Sequence, residues 1–288
     1  MSLKIEKELD ELVTAKVITP AVQEEIRRYY ARDKEAQPNK LFAIFGVLGS
    51  LLTGLGIILI LAHNWDDFTR ATKTIWAFIP LVVGQLLAAY ALLKKKTNAW
   101  KETAAVFLFF AIGSSIALVS QIYNIPGEMS SFLLTWIILA VPLVYLLKSH
   151  AAALLHTLFV TIYACNVGYF NDVSPYLYVV LLGLMVPYYW TQVKSKPEDN
   201  LTGIFNWLFP LSLLISLGAF MQGGDNIGFV TYICLFGLFY NIGKLPFFAN
   251  QKMRKNGYLI LGSLGTVITL IIASFEFVWD EYQYFMTS

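Results

Sequence analysis

The residues best suited to chemistry gather in one short run. LAHNWDDF, residues 61–68, carries His63, Asn64, Trp65, Asp66 and Asp67, and it closes a stretch that is almost wholly apolar. His63 and Asp67 stand four residues apart, on one face if the helix continues that far. That spacing can hold a metal ion, but two ligands are not a site. Histidine also changes charge near neutral pH. Two later runs share this flavour: SQIYN, with Gln121, Tyr123 and Asn124, and SFEFVWDE, with Glu276. In the plain reading His63 and Asn64 cap the last helical carbonyls, Trp65 anchors the chain at an interface, and the aspartates are solvated. In the sharper reading these nine residues line a pocket for a polar ligand or a cation.

The elements that must position them are set by composition. The chain has 288 residues, 57% hydrophobic and 14% charged, with a mean hydropathy of +0.60. Soluble domains carry roughly 25% charged residues, so this balance points to lipid as solvent. Several apolar runs reach the about 17–25 residues that span a bilayer core of ~30 Å. Lipid cannot satisfy backbone polar groups, so the runs are expected to be helices. Alternating segments of a β-barrel are absent. The expected fold is an all-α polytopic bundle of about nine spans: 41–62, 74–93, 102–121, 129–147, 151–170, 175–191, 202–222, 227–243 and 257–279. This transmembrane domain occupies 39–288. Residues 1–38 form a short amphipathic helical hairpin, with Ile5, Leu9, Leu12 and Val13 on one face and Thr19-Pro20 opening the second helix.

Charge gives the orientation. With the N-terminus in the cytoplasm, 19 of the Lys and Arg residues fall inside and only Arg70 and Lys73 outside. That asymmetry is the positive-inside pattern, and an odd number of spans then leaves the C-terminus outside. The first forty residues carry no apolar leader segment, so the first span is expected to be its own insertion signal. Acidic residues reverse the bias: Asp66, Asp67, Glu128, Asp172, Asp225, Glu276, Asp280 and Glu281 lie outside. The outward ends of five helices, AHNWDD, SQIYN, ACNVGYFND, MQGGDN and SFEFVWDE, each place amides or acids beside aromatic residues or glycine.

Two of those ends are expected to meet. Gly46, Ser50 and Gly54 form a small-residue stripe on the first span; Ala111, Gly113, Ser115 and Ala117 do so on the third. Small residues at such spacing let helices approach closely in lipid. Facing stripes bring His63 and Asn64 to the depth of Gln121, Tyr123 and Asn124. Charged groups are missing from the span interiors, which disfavours an ion pump or a proton-driven antiporter. His156 is the deep titratable group, and Gln85, Asn166, Asn206 and Asn241 are expected to bond between helices. Cys165 and Cys234 sit in apolar runs and are expected to be buried free thiols. Pro80, Pro142, Pro187 and Pro210 lie within spans, where neighbours can satisfy the freed carbonyls.

No G-x-S-x-G elbow, P-loop or Cys/His metal spacing occurs, so no catalytic residue, metal or cofactor is assigned. The neutral N-terminal hairpin lacks the basic face of a nucleic-acid binder. Three stretches carry a family resemblance: the glycine-rich first span running into LGIILILAHNW, IALVSQIYNIPG closing the third, and VITPAVQEEIRRYY near the start. Together they resemble the bacterial membrane proteins catalogued as domain of unknown function 2157. The resemblance covers roughly residues 1–130 and the remainder by hydropathy alone. It implies a polytopic protein of the bacterial cytoplasmic (inner) membrane and supplies no activity. His63, Asn64, Trp65, Gln121 and Tyr123 fall in the matching motifs, with no role attached.

The expected function is therefore non-enzymatic: binding or transport of a small polar or cationic solute through an outward-facing acidic vestibule. One alternative is a structural or sensory protein whose hairpin docks a protein partner or a second copy. A weaker one is an enzyme on lipid or envelope substrates. The lipid bilayer is the one partner expected in every case; nucleic acid is expected in none.

Overall fold

A computed structural model of the chain describes residues 3–26, 65–171, 173–221, 228–249 and 251–275. It divides into two compact units, Met1–Phe68 and Thr69–Ser288. Among the described residues every regular element is helical.

In the first unit, α1 spans Leu3–Thr14 and ends where Lys16 turns left-handed, at φ 55°. Residues 20–26 are helical again. Thr19 Oγ1 accepts the Val22 N–H at 3.4 Å, and Pro20 takes the first helical position, where its missing N–H costs nothing. Gln23 Nε2 donates to Asp10 Oδ1 at 2.6 Å, joining the two stretches. Of the apolar face expected on α1, Leu9 is buried but Leu12 is exposed.

The second unit begins with α2 (Arg70–Leu93), α3 (Asn98–Tyr123), α4 (Met129–Leu146) and α5 (His150–Cys165), the last extended by a π-turn over Asn166–Phe170. Then come α6 (Tyr176–Gly183), α7 (Val186–Ser195), α8 (Asn200–Phe220), α9 (Gly228–Gly243) and α10 (Gly257–Ala273). Sequence neighbours α2 to α5 pack in order, α8 lies on α5, and α9 pairs with α10.

The packing rule is that of a lipid-solvated protein. On α2 the buried positions are Ala77, Gly84, Ala88 and Ala91, all small. Val82, Val83 and Leu86 stand exposed on the same helix. Burying large side chains gains little when the surrounding tails are equally apolar, so on α2 small residues take the contacts and large ones face outward; elsewhere Phe109, Phe205 and Phe239 are fully buried between helices. Among the described residues six helical segments are long and apolar enough to cross a membrane: Arg70–Leu93, Asn98–Tyr123, Met129–Leu146, His150–Phe170, Tyr176–Ser195 and Asn200–Phe220. They coincide with six expected spans to within a few residues. The expected span 41–62 lies outside the described residues. Gly228–Gly243 and Gly257–Ala273 are shorter, 16 and 17 residues. At ~1.5 Å per residue each covers about 25 Å. They lie tightly together, since a Cβ on Gly262 would sit 2.4 Å from the backbone nitrogen of Tyr240.

The segment expected as one helix over 175–191 is broken. Leu184 and Met185 form a turn between α6 and α7, and Pro187, with no N–H to give, follows at the start of α7. The N–H of Met185 bonds Leu182 O at 2.9 Å, so Leu181 O loses its in-helix donor. His156 Nε2 supplies a replacement at 3.1 Å, and Tyr145 donates to Leu184 O beside it.

Both cysteines are free thiols, as expected, but only Cys165 is partly covered. Cys234, on α9, is exposed rather than buried.

Candidate functional site

Of the nine residues singled out by sequence, His63, Asn64 and Glu276 lie outside the described residues. Trp65, Asp66 and Asp67 form a turn, so the helix does not run through Asp67. The Trp65 ring packs edge-on against Phe68 at 6.5 Å, and the Phe68 N–H closes the turn on Trp65 O at 3.3 Å. Asp66 and Asp67 are exposed. Among the described residues no group of three or more His, Cys, Asp or Glu could hold a metal.

Gln121, Tyr123 and Asn124 close α3 in the second unit. Asn124 adopts the left-handed conformation, φ 49° and ψ 45°, that asparagine tolerates better than most residues. The Ile125 N–H then reaches back to Ser120 O at 2.9 Å. Asn124 is thus the helix stop. The Tyr123 hydroxyl bonds the Thr74 hydroxyl at 3.0 Å and ties the end of α3 to the start of α2. Gln121 is exposed.

A groove opens just below this end. One cavity of about 510 Å³ runs between the last turns of α3 and the first turns of α4. Its polar walls are Ser120, Glu128, Ser131 and Thr135. A second cavity of about 470 Å³ shares Ile116, Ser120 and Ile125 with it and reaches Gln85 on α2. Glu128 accepts a hydrogen bond from the Ser130 hydroxyl at 3.3 Å, and Thr135 Oγ1 spends its proton on Ser131 O at 2.8 Å. None of Gln121, Tyr123 and Asn124 lines either cavity; they rim the loop above. Glu128 was countable among the acids of this end, but the serines and the threonine carried no signal in sequence.

The small-residue stripe on α3 is used, and its partners are now named. Gly113 receives the Trp136 indole from α4: a Cβ there would lie 2.3 Å from Trp136 Cε2. The same indole donates from Nε1 to Phe109 O at 2.7 Å and meets the Phe159 ring of α5 at 4.5 Å. Ser115 Oγ donates to Ala77 O of α2 at 2.8 Å. Ala117 is left in the groove wall. The first span, expected against this stripe, is outside the described residues.

The polar groups of the span interiors divide. Asn206 does bond between helices: it accepts from Tyr189 Oη at 2.7 Å and donates to Gln251 Oε1 at 2.8 Å and Lys255 O at 3.0 Å. Asn241 does not, since it bonds back to Gly237 of its own helix at 2.7 Å. Asn166 Oδ1 is buried with no hydrogen bond, and Gln85 faces the second cavity. Thr161, Ser212 and Tyr178 join α5, α8 and α6 through hydroxyl contacts of 2.7 and 2.9 Å.

A family model described as "Predicted membrane protein (DUF2157)" matches residues 10–153. That range holds the resembling motifs and extends past the first groove into α5. No curated protein and no solved structure matches the chain.

Proposed function

The chain belongs to the DUF2157 family of predicted membrane proteins, and from that premise we propose a multi-pass protein that binds or passes a small polar or cationic solute. The proposed topology has nine spans, residues 1–38 as a cytoplasmic helical hairpin, 39–288 as the membrane domain and the C-terminus outside a bacterial inner membrane. The lysine and arginine asymmetry supports the orientation. The observation that carries the function is the groove between α3 and α4, with the carboxylate of Glu128 in its wall and apolar flanks of Ile116 and Ile125. A concave apolar site with a few polar groups is the usual form of a small-molecule site. The acid selects for positive or hydrogen-bond-donating solutes. His63, Asn64, Trp65, Asp66, Asp67, Gln121, Tyr123, Asn124 and Glu276 enter this proposal as candidate ligand-binding residues by their types in the sequence.

Cysteine protection tests this. In a chain lacking Cys165 and Cys234, Thr135→Cys should react with a water-soluble maleimide, and putrescine or tetramethylammonium should slow the reaction. Glu128→Gln should abolish the protection. No reaction at position 135, or no protection by either cation, would sink the proposal.

A second reading has one observation behind it. Leu12, Val17 and Val22 are exposed in the first unit, 39%, 68% and 42% respectively. Exposed apolar side chains of this kind suit a protein partner or a second copy. Deleting residues 1–36 should then remove function while the membrane domain still folds; a fully active deletion would discard the idea.

A further inference from the structure

The opposite end of the second unit, rich in lysine, holds a cavity that the solute reading does not use. Lysines at this end commonly have partners. Lys96 Nζ lies 5.0 Å from the centre of the Tyr90 ring, Lys194 5.0 Å from that of Trp190, and Lys244 4.1 Å from that of Tyr240. Lys255 donates to Glu198 O. Lys101, Lys148 and Lys196 differ: their ammonium groups have no hydrogen bond or ion pair among the described residues. All three line one cavity of about 210 Å³ between the start of α3, the α4–α5 link and the end of α7.

The one carboxylate in that wall is already engaged. Glu102 accepts hydrogen bonds from the Ser149 hydroxyl and from the N–H groups of His150, at 2.8 Å, and Ala151, at 2.9 Å. It sits on the positive end of the α5 dipole, which offsets much of its charge. Other wall groups can donate. His150 Nδ1 bonds the Tyr188 hydroxyl at 2.6 Å, so with that hydroxyl as donor the ring keeps an N–H on Nε2. Gln192 Oε1 is buried without a partner, and the amide can turn to present its NH₂ instead. Asn98 adds another amide.

Three ammoniums against one carboxylate already engaged by three donors, with amide and imidazole donors beside them, make a wall with more donors than acceptors. We propose that this cavity binds the phosphate group of an anionic ligand, a phosphomonoester or phosphodiester. Terminal phosphate oxygens supply the acceptors the wall is missing, and basic pockets between membrane helices recognise anionic headgroups on the same terms. A lipid headgroup and a soluble phosphate share this chemistry. The site is independent of the α3–α4 groove and of the orientation assigned above.

The full chain purified in detergent tests it. Binding of dihexanoyl phosphatidylglycerol, dihexanoyl phosphatidylcholine and inorganic phosphate is measured at constant ionic strength. Wild type should bind the anionic lipid at least about tenfold tighter than the zwitterionic one, with roughly fivefold lost per lysine in Lys101→Gln/Lys148→Gln/Lys196→Gln. If inorganic phosphate competes with the lipid at similar affinity, the source is a soluble phosphate; if only the lipid binds, it is a headgroup. Binding of neither probe, or equal binding by the triple variant, overturns the proposal. Should the triple variant fail to fold, Lys148→Gln and Lys196→Gln serve singly, both being exposed side chains; unchanged affinity in both overturns it equally.

Discussion

His156 Nε2 donates to Leu181 O across 3.1 Å, binding α5 to the point where the following membrane segment breaks. A carbonyl only accepts, so the proton sits on Nε2. Nδ1 is then an acceptor, buried and unpartnered. The histidine is fully buried. Its position is thereby explained by backbone satisfaction: the broken helix releases a carbonyl, and a neighbouring side chain replaces the lost donor.

Replacing that donor should be costly. His156→Leu leaves Leu181 O unsatisfied in an apolar setting and is expected to destabilise by about 1–3 kcal/mol. His156→Gln, which keeps an N–H donor of similar reach, should lose less. Thermal unfolding of the detergent-solubilised chain compares the two. Equal losses would show that ring packing, not the hydrogen bond, is what His156 supplies.

Gly113 and Trp136 make a complementary pair. The indole occupies the space a Cβ would need. Gly113→Ala is expected to cost about 1–3 kcal/mol by forcing α3 and α4 apart, read as a lowered Tm. Trp136→Phe, which removes one ring and the bond to Phe109 O, should make Gly113→Ala better tolerated. Additive losses in the double variant would mean that the two do not share one space.

Glu102 caps α5 from another helix. Glu102→Ala removes the acceptor for two backbone N–H groups and the Ser149 hydroxyl. A loss of about 1–2 kcal/mol is expected, as for a strong N-cap, and Glu102→Gln, still able to accept, should retain part of it. Hydrogen exchange at His150 and Ala151 should rise in Glu102→Ala. Unchanged exchange there would remove the capping role.

The proposed topology is open to a direct check. Asn171 and Asn98 are both exposed and lie at opposite ends of the second unit. In intact cells a cysteine at Asn171 should react with an impermeant thiol reagent, whereas one at Asn98 should react only after permeabilisation. The reverse pattern would invert the assignment of every loop.

Much of the architecture was legible because lipid simplifies the code. Length and apolarity alone mark a helix when no other structure satisfies its backbone, so the expected 74–93, 102–121 and 129–147 coincide closely with α2, α3 and α4. Thr19-Pro20 was legible for a local reason, a hydroxyl acceptor followed by a residue with no N–H to satisfy. The break after Gly183 was harder to see. Pro187 marked the place, but Pro80, Pro142 and Pro210 sit inside unbroken helices, so proline alone does not decide between a bend and a stop.

The candidate site divides along the same line. The amide and aromatic residues at the end of α3 stood out by type, and in the structure Asn124 turns the chain while Tyr123 ties down α2. Ser131 and Thr135 gave no sign, since a wall exists only when α3 and α4 stand side by side. The small residues of α3 announced close packing without naming a partner, because a missing side chain complements any neighbour that fits. By itself the sequence determined the solvent, the helices and the charge bias, all of which depend on composition along one segment. The tertiary structure decided that Trp136 fills Gly113, that His156 serves Leu181, and that Lys101, Lys148 and Lys196 share one cavity. Those relations join residues on different helices, and their energies depend on distances that no single segment contains.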